Sequence, residues 1–250
     1  MGRNVSSLGI ILKAARVGEI HKSITLLTPD LGIISAIAHG AYKGKSKLSG
    51  STDVFSASFF YLYFDPVKNS YKVTDVEHRD IFNRLRDDIS RYYSASLCTE
   101  VIFRTFAGGG DYSATFALLF RTLSLLDARP KDELSWALII FLYKYIDALG
   151  YLPEIDTCSR CGRSIPETET VRLAGEGVFI CRDCAGGNIS GITPGARRYL
   201  LYIRAHSVDE SIKIKLDGRS TDGLKTAFLS LIQHIIGSPL NSLKGARGIV

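Results

Sequence analysis

Between Leu8 and about His78 apolar and polar residues alternate in short runs rich in Ile, Thr, Val, Phe and Tyr. Turn-forming text interrupts these runs at Gly18-Glu19, at Thr28-Pro29-Asp30-Leu31-Gly32 and at Asp65-Pro66. A period of two bounded by such residues is the signature of half-buried strands. It predicts five of them, at Leu8–Val17, Ser23–Leu27, Ile33–His39, Phe55–Phe64 and Tyr71–His78. Five antiparallel strands in so short a stretch suit a small closed barrel, of which the OB-fold is the best-known nucleic-acid-binding type. Past Asp80 the period lengthens. Leu85, Ile89, Tyr93, Leu97 and Val101 recur every four residues up to Gly108-Gly109-Gly110. Asp111 is placed to cap a second helix carrying Phe116, Leu119, Phe120, Leu123 and Leu126, which Pro130 ends. A third carries Trp136, Ile139, Ile140, Tyr143 and Ile146 and stops at Gly150. Helical text resumes at Thr193-Pro194, read as cap and first position, and again from Ser220 to Ile236.

The second and third of these helical segments are separated from the last two by the strongest chemical signal in the chain, the pairs Cys158/Cys161 and Cys181/Cys184. Each Cys-x-x-Cys turns two thiolates toward one point, and the nineteen residues between the pairs are enough for a hairpin that sets them opposite each other. The spacing predicts one structural Zn²⁺ per chain in a ribbon. Four protein ligands leave no open position for a reactive water. Two disulfides and a thioredoxin-like redox pair are the rival readings. The first suits small secreted chains, and the second needs a Cys-x-x-Cys opening a helix in a βαβ unit, whereas both pairs here lie in Gly-rich, turn-like text. Zn²⁺ with four thiolates carries a formal charge of −2, so Arg160, Arg163 and Arg182 are candidates to offset it, and Gly162 and Gly177 to turn backbone amides toward sulfur. Cys98 stands apart in an apolar helical segment and reads as a buried free thiol.

Composition narrows the field modestly. Lys and Arg number 31 against 25 Asp and Glu, a net charge of +6 that permits a polyanionic partner. A hydrophobic content of 46% with 22% charged residues describes a globular chain of cytoplasmic type. The longest apolar stretch, Trp136 to Leu142, is too short to span a bilayer, so no membrane partner is expected. His21, His39, His78, His206 and His234 are scattered, and neither a Walker-type loop nor the His-x-Glu of a zinc deaminase is present, so the expectation is a protein that is not an enzyme. Lys43, Lys45 and Lys47 lie in a stretch from His39 to Gly50 that has no acidic residue and follows a barrel strand. They suit a phosphate-contacting loop, though three lysines also make an ordinary solvated surface. Phe59, Phe60, Tyr61 and Tyr63 make an aromatic strand whose alternation divides them between two faces, with at least half expected to point into the barrel.

Three segments resemble the bacterial recombination mediator family RecO. They are the motifs Gly9-Ile10-Ile11-Leu12-Lys13, Gly18-Glu19, Leu26-Leu27-Thr28, Gly32-Ile33-Ile34, His39-Gly40-Ala41 and Ser46 near the start, Leu149-Gly150-Tyr151-Leu152-Pro153 running into Cys158-Ser159-Arg160-Cys161-Gly162, and Pro239-Leu240-Asn241-Ser242-Leu243-Lys244. The resemblance implies an α+β multidomain chain with an N-terminal five-stranded OB-fold β-barrel at 1–79 and a helical domain at 80–152. It further implies an inserted four-cysteine zinc ribbon at 153–190, and C-terminal helices at 191–250 packing on the helical domain. It also implies binding of single- and double-stranded DNA, strand annealing, and loading of RecA recombinase with RecR on strands coated by single-strand DNA-binding protein, whose C-terminal tail is a further partner. Lys13 and His39 then join Lys43, Lys45 and Lys47 as DNA-contact candidates in a cytoplasmic, nucleoid-associated protein. His39, Tyr42 and Asn241 stand where the family commonly has basic residues. The alternatives are an OB-plus-ribbon RNA-binding or ribosome-associated factor and a protein scaffold with merely solvated lysines.

Overall fold

The computed structural model describes residues 3–44, 46–80, 82–105, 111–174, 177–187 and 191–245. Five strands, β1 (Asn4–Val17), β2 (His21–Thr28), β3 (Gly32–Ala38), β4 (Ala57–Asp65) and β5 (Ser70–Asp80), close into a barrel in the order β1-β2-β3-β5-β4. The neighbours are antiparallel except β3 and β5, which run parallel through Ala36↔Tyr71 and Ile37↔Lys72. This is the OB arrangement expected from the alternation. Inward positions carry Ile11, Ile24, Leu26, Ile34, Ala36, Phe60, Leu62, Val73 and Val76, all buried. β1 serves two partners. Its first half pairs with β4 from Asn4↔Tyr63 to Ile10↔Ala57, its second half with β2, and a bulge between Ile11 and Lys13 bends it from one to the other.

The chain forms two compact units, of which the second is Arg129–Leu243 and the first takes in the chain before it together with Lys244 onward. The first holds the barrel with α1 (Arg84–Asp87), α2 (Ile89–Thr105) and α3 (Tyr112–Ala128). The four-residue period from Leu85 to Val101 leads to the expectation of one helix, but Asp88 is extended at φ −127° and ψ 125° and splits it. Its carboxylate accepts from the Arg91 N–H at 3.1 Å, so the aspartate caps α2 instead of continuing α1. Asp111 caps α3 as expected, accepting from the Ala114 N–H at 2.9 Å. The Gly108-Gly109-Gly110 stop lies outside the described residues. Gly32 opens β3 at φ +73°, and a Cβ there would stand 2.6 Å from Tyr112 Cζ. Gly32→Ala combines a left-handed backbone with a clash, and is expected to cost about 1–3 kcal/mol, read as a lower melting temperature.

The second unit is built on α4 (Leu134–Ala148), which is apolar nearly all round and correspondingly buried from Trp136 to Tyr143. It is covered by α5 (Pro194–Ala205), α6 (Val208–Ser211) and α7 (Gly218–Ile236). Tyr143 packs edge-on against Phe228 with ring centres 5.7 Å apart, and Trp136 Nε1 donates to Thr221 Oγ1 at 3.0 Å. Thr193 caps α5 with Pro194 at its first position, and α7 starts at Asp217, whose carboxylate accepts from the Ser220 N–H. A short α8 (Asn241–Gly245) follows. Among the described residues no helix is long and apolar enough to cross a membrane. Between α4 and α5 lies the ribbon, with a two-stranded hairpin of β6 (Arg172–Leu173) and β7 (Phe179–Ile180).

Candidate metal centre and nucleic-acid face

The ribbon brings Cys158, Cys161, Cys181 and Cys184 together so that their sulfurs all lie within 4.8 Å of one another, Cys161 and Cys181 at 3.9 Å. Tetrahedral thiolates at the usual Zn–S length of about 2.3 Å stand about 3.8 Å apart, so the set needs only a slight contraction to hold such an ion. Backbone geometry explains the convergence. Cys158 N–H donates to Arg163 O at 2.9 Å and Gly162 N–H to Cys158 O at 2.8 Å, with Gly162 at φ +73°, which closes the first knuckle. The second is closed by Ala185 N–H to Cys181 O at 3.0 Å, and Ser159 N–H to Phe179 O at 2.9 Å joins the two.

Amides point at sulfur as a thiolate cluster requires: Cys181 N–H lies 3.3 Å from Cys158 Sγ and Cys184 N–H 3.5 Å from Cys181 Sγ. The Cys181 N–H and those of Cys161 and Arg160 push the Cys158 thiol down to about 6. The neighbouring sulfurs of Cys181 and Cys161 have the opposite effect on Cys184, which is pushed up to about 12. One thiol therefore ionises readily while the last resists, and a divalent cation supplies the charge that lets all four become thiolates. Of the three arginines expected to offset that charge, Arg163 faces Cys181 and is gripped by Glu169 at 2.7 and 3.0 Å. Arg160 donates to Cys184 O at 2.7 Å, tying knuckle to knuckle, while Arg182 turns to Gly187 O. Cys98 is buried in α2 and is not one of the four clustered thiols, and burial raises its pKa.

The ribbon is pinned to α5 by a residue that the spacing of motifs does not reveal. Arg197 is 2% exposed, and its guanidinium donates to the carbonyl oxygens of Pro166 (2.5 Å), Ile155 (3.1 Å), Glu169 (3.2 Å) and Ile165 (3.3 Å). Asp156 Oδ1 pairs with it at 3.3 Å. The one hint in the sequence is an Arg-Arg pair on a helix whose other inward positions are apolar.

On the barrel, the outward face of β1, β2 and β3 has small or polar side chains in register: Lys13 beside Thr25 and Ser35, then Ala15 beside Ser23 and Ile37, with Lys72 next across β5. Lys13 is exposed with its ammonium 5.7 Å from the centre of the Phe103 ring. His39, exposed at the end of β3, meets His21 edge-on at 4.7 Å. The Gly40 N–H donates to His21 Nδ1 at 3.1 Å, which places that ring's proton on Nε2. Partial burial, His21 and the charges of Lys72 and Lys68 lower the pKa of His39. Lys43 and Lys47 are exposed in the connection from β3 to β4 and form no ion pair among the described residues; Lys45 lies outside those residues. Folding thus adds Lys72, Lys68 and Arg16 to the basic set read from the sequence. The aromatic strand sends one of its four rings inward and not the expected half, because positions 59, 61 and 63 share one face of the alternation. Phe60 is in the core, and Phe59, Tyr61 and Tyr63 face outward, where Tyr61 donates to Glu77 at 2.6 Å opposite Asp75.

Set beside known proteins, residues 1–82 match the family model "Recombination protein O N terminal" and residues 86–244 match "Recombination protein O C terminal". The chain is similar to the DNA repair protein RecO of Alkaliphilus metalliredigens, 29% identical over 98% of this chain and 99% of the relative. It is similar also to that of Rubrobacter xylanophilus, 31% identical over 71% of this chain and 70% of the relative. To that of Roseiflexus sp. it is 27% identical over 94% of this chain and 82% of the relative.

Proposed function

Because the chain belongs to the recombination protein O family, we propose that it is a DNA-binding mediator of recombinational repair that works by binding energy and not by bond chemistry. The observation that carries this reading is the pairing of an OB barrel with a basic loop: Lys43 and Lys47 are exposed and have no ionic partner among the described residues, in the connection that follows His39, and His39 in turn lies near Lys68 and Lys72. Cations on a rigid barrel exchange condensed counterions for phosphates, which favours binding to any strand sequence. Lys13 and the outer face of β1, β2 and β3 extend the path. The four thiolates hold a structural Zn²⁺, which supplies cross-linking of two loops and no reaction. In this reading the protein binds single- and double-stranded DNA and anneals complementary strands. With RecR it assists RecA loading on strands covered by single-strand DNA-binding protein, in the cytoplasm at the nucleoid.

The test is fluorescence anisotropy of a labelled single-stranded oligonucleotide across a salt series, with the unmodified protein and a Lys43/Lys45/Lys47→Glu variant. Three lysines on three phosphates contribute a slope of about −2 in log K against log [salt]. The variant is expected to bind on the order of a hundredfold more weakly at low salt and to lose that part of the slope. Equal binding by the two proteins would move the path off this loop, and a preference for structured RNA would overturn the DNA assignment.

A further inference from the structure

Of the outward aromatics of β4, Phe59 and Tyr61 are poorly placed for nucleic acid, since Glu77 and Asp75 stand opposite them and repel phosphate, while the Tyr63 ring already lies under the Lys72 ammonium at 5.6 Å and its hydroxyl accepts from Arg3. A different aromatic lies on the basic side. Tyr42, in the turn after β3, is 45% exposed, and its position is fixed: its N–H donates to Ile20 O at 3.0 Å, and Lys43 N–H to Gly40 O at 3.0 Å closes the turn. Its ring centre is 4.9 Å from the Lys22 ammonium. That ammonium is almost fully buried, held by Asp53 at 2.6 Å and by Ser49 O at 3.4 Å, so the ring covers a fixed cation from outside. The Arg16 guanidinium carbon is 5.2 Å from the same ring, and the group is itself anchored by two donations to Glu19 O. The Tyr42 hydroxyl makes no hydrogen bond among the described residues, so nothing in the fold requires this side chain to be a tyrosine.

We propose that Tyr42 and the Arg16 guanidinium lying over its ring form a stacking platform for an unpaired nucleobase. The inference rests on the DNA-binding reading and adds a specificity to it. Lysines neutralise phosphates of one strand or two alike, but a flat, pre-positioned ring rewards only a base that is free to leave its neighbours. Aromatic and guanidinium planes are both good stacking partners, and neither reads sequence. Tyr42 therefore tilts the protein toward single strands, and its contribution is insensitive to salt because no counterion is released.

The experiment compares Tyr42→Ala and Tyr42→Phe with the unmodified chain on three probes of equal phosphate number: an oligothymidylate, an abasic oligomer and a duplex. Tyr42→Ala is expected to weaken oligothymidylate binding about five- to a hundredfold with an unchanged salt slope, and to leave the other two within twofold. Tyr42→Phe should match the unmodified protein. Equal losses on all three probes would make Tyr42 a loop-shaping residue, and no loss on oligothymidylate would remove the platform; either overturns the proposal. If the unmodified chain binds none of the probes, the DNA reading itself fails, and the platform with it.

Discussion

A Cys158→Ser protein is expected to lose its zinc and, with it, the folded state of the ribbon. Cys158 is one of the two fully buried cysteines of the cluster and accepts the Cys181 N–H, with all four sulfurs within 4.8 Å of one another. Serine shortens the reach to the ion and exchanges a readily ionised thiol for a hydroxyl that is not. The ribbon has little apolar material of its own, chiefly Ile165, Val171, Phe179 and Ile180. Metal binding in zinc-finger peptides is worth about 10–16 kcal/mol, far more than so small a core supplies. Elemental analysis after dialysis should show less than one zinc per chain, limited proteolysis should cut between residues 154 and 187, and the melting temperature should fall. Full zinc content with an unchanged melting temperature would remove the metal from the account of this unit.

Arg197→Met should be nearly as damaging without touching a ligand. The substitution keeps an unbranched apolar stem but withdraws the donors from four backbone carbonyls and from Asp156. Carbonyls stranded without donors next to a buried helix are costly, and removal of a buried, multiply bonded cation typically destabilises by about 3–5 kcal/mol. Denaturant unfolding followed by the single tryptophan, Trp136 in the same unit, should show a midpoint shift of that size, whereas Arg197→Lys, able to satisfy part of the set, should fall between. A variant with an unchanged midpoint would mean that water replaces the guanidinium at no cost.

These two residues also mark what could be read in the sequence. The four cysteines were legible because the spacing of a zinc knuckle is local: each pair is three residues apart and its geometry is set by its own turn. The barrel was legible because β3, β4 and most of β2 alternate and the turns between strands are marked by Gly, Pro and Asp, and the caps at Asp111 and Thr193 because a side chain there reaches only three residues ahead. Arg197 was not, since its partners are carbonyls, which every residue has, at positions 28 to 42 residues away in the chain. Lys22 was missed for the same reason. A lysine at an inward strand position looks like an error of register until Asp53, 31 residues on, comes to neutralise it. The basic face shows both cases together: Lys43 and Lys47 could be read from the loop, while Arg16 and Lys72 join them only when separate strands are brought side by side. The split between α1 and α2 escaped because a capping aspartate in a helical period looks like any other polar position.

The divided service of β1 sets an order of events during synthesis. Its second half finds β2 across a short turn, Val17 against His21, soon after both leave the ribosome. Its first half has to wait for β4, because Asn4 pairs with Tyr63, and the parallel seam of β3 with β5 comes later still. Closure of the barrel is therefore the slow, non-local step in a chain whose second unit is largely helical, and the hairpin of β1 and β2 must persist with an open edge until then. The edge left waiting is the first half of β1, so a substitution there that weakens its pairing with β4 will be felt as slower folding as well as lower stability.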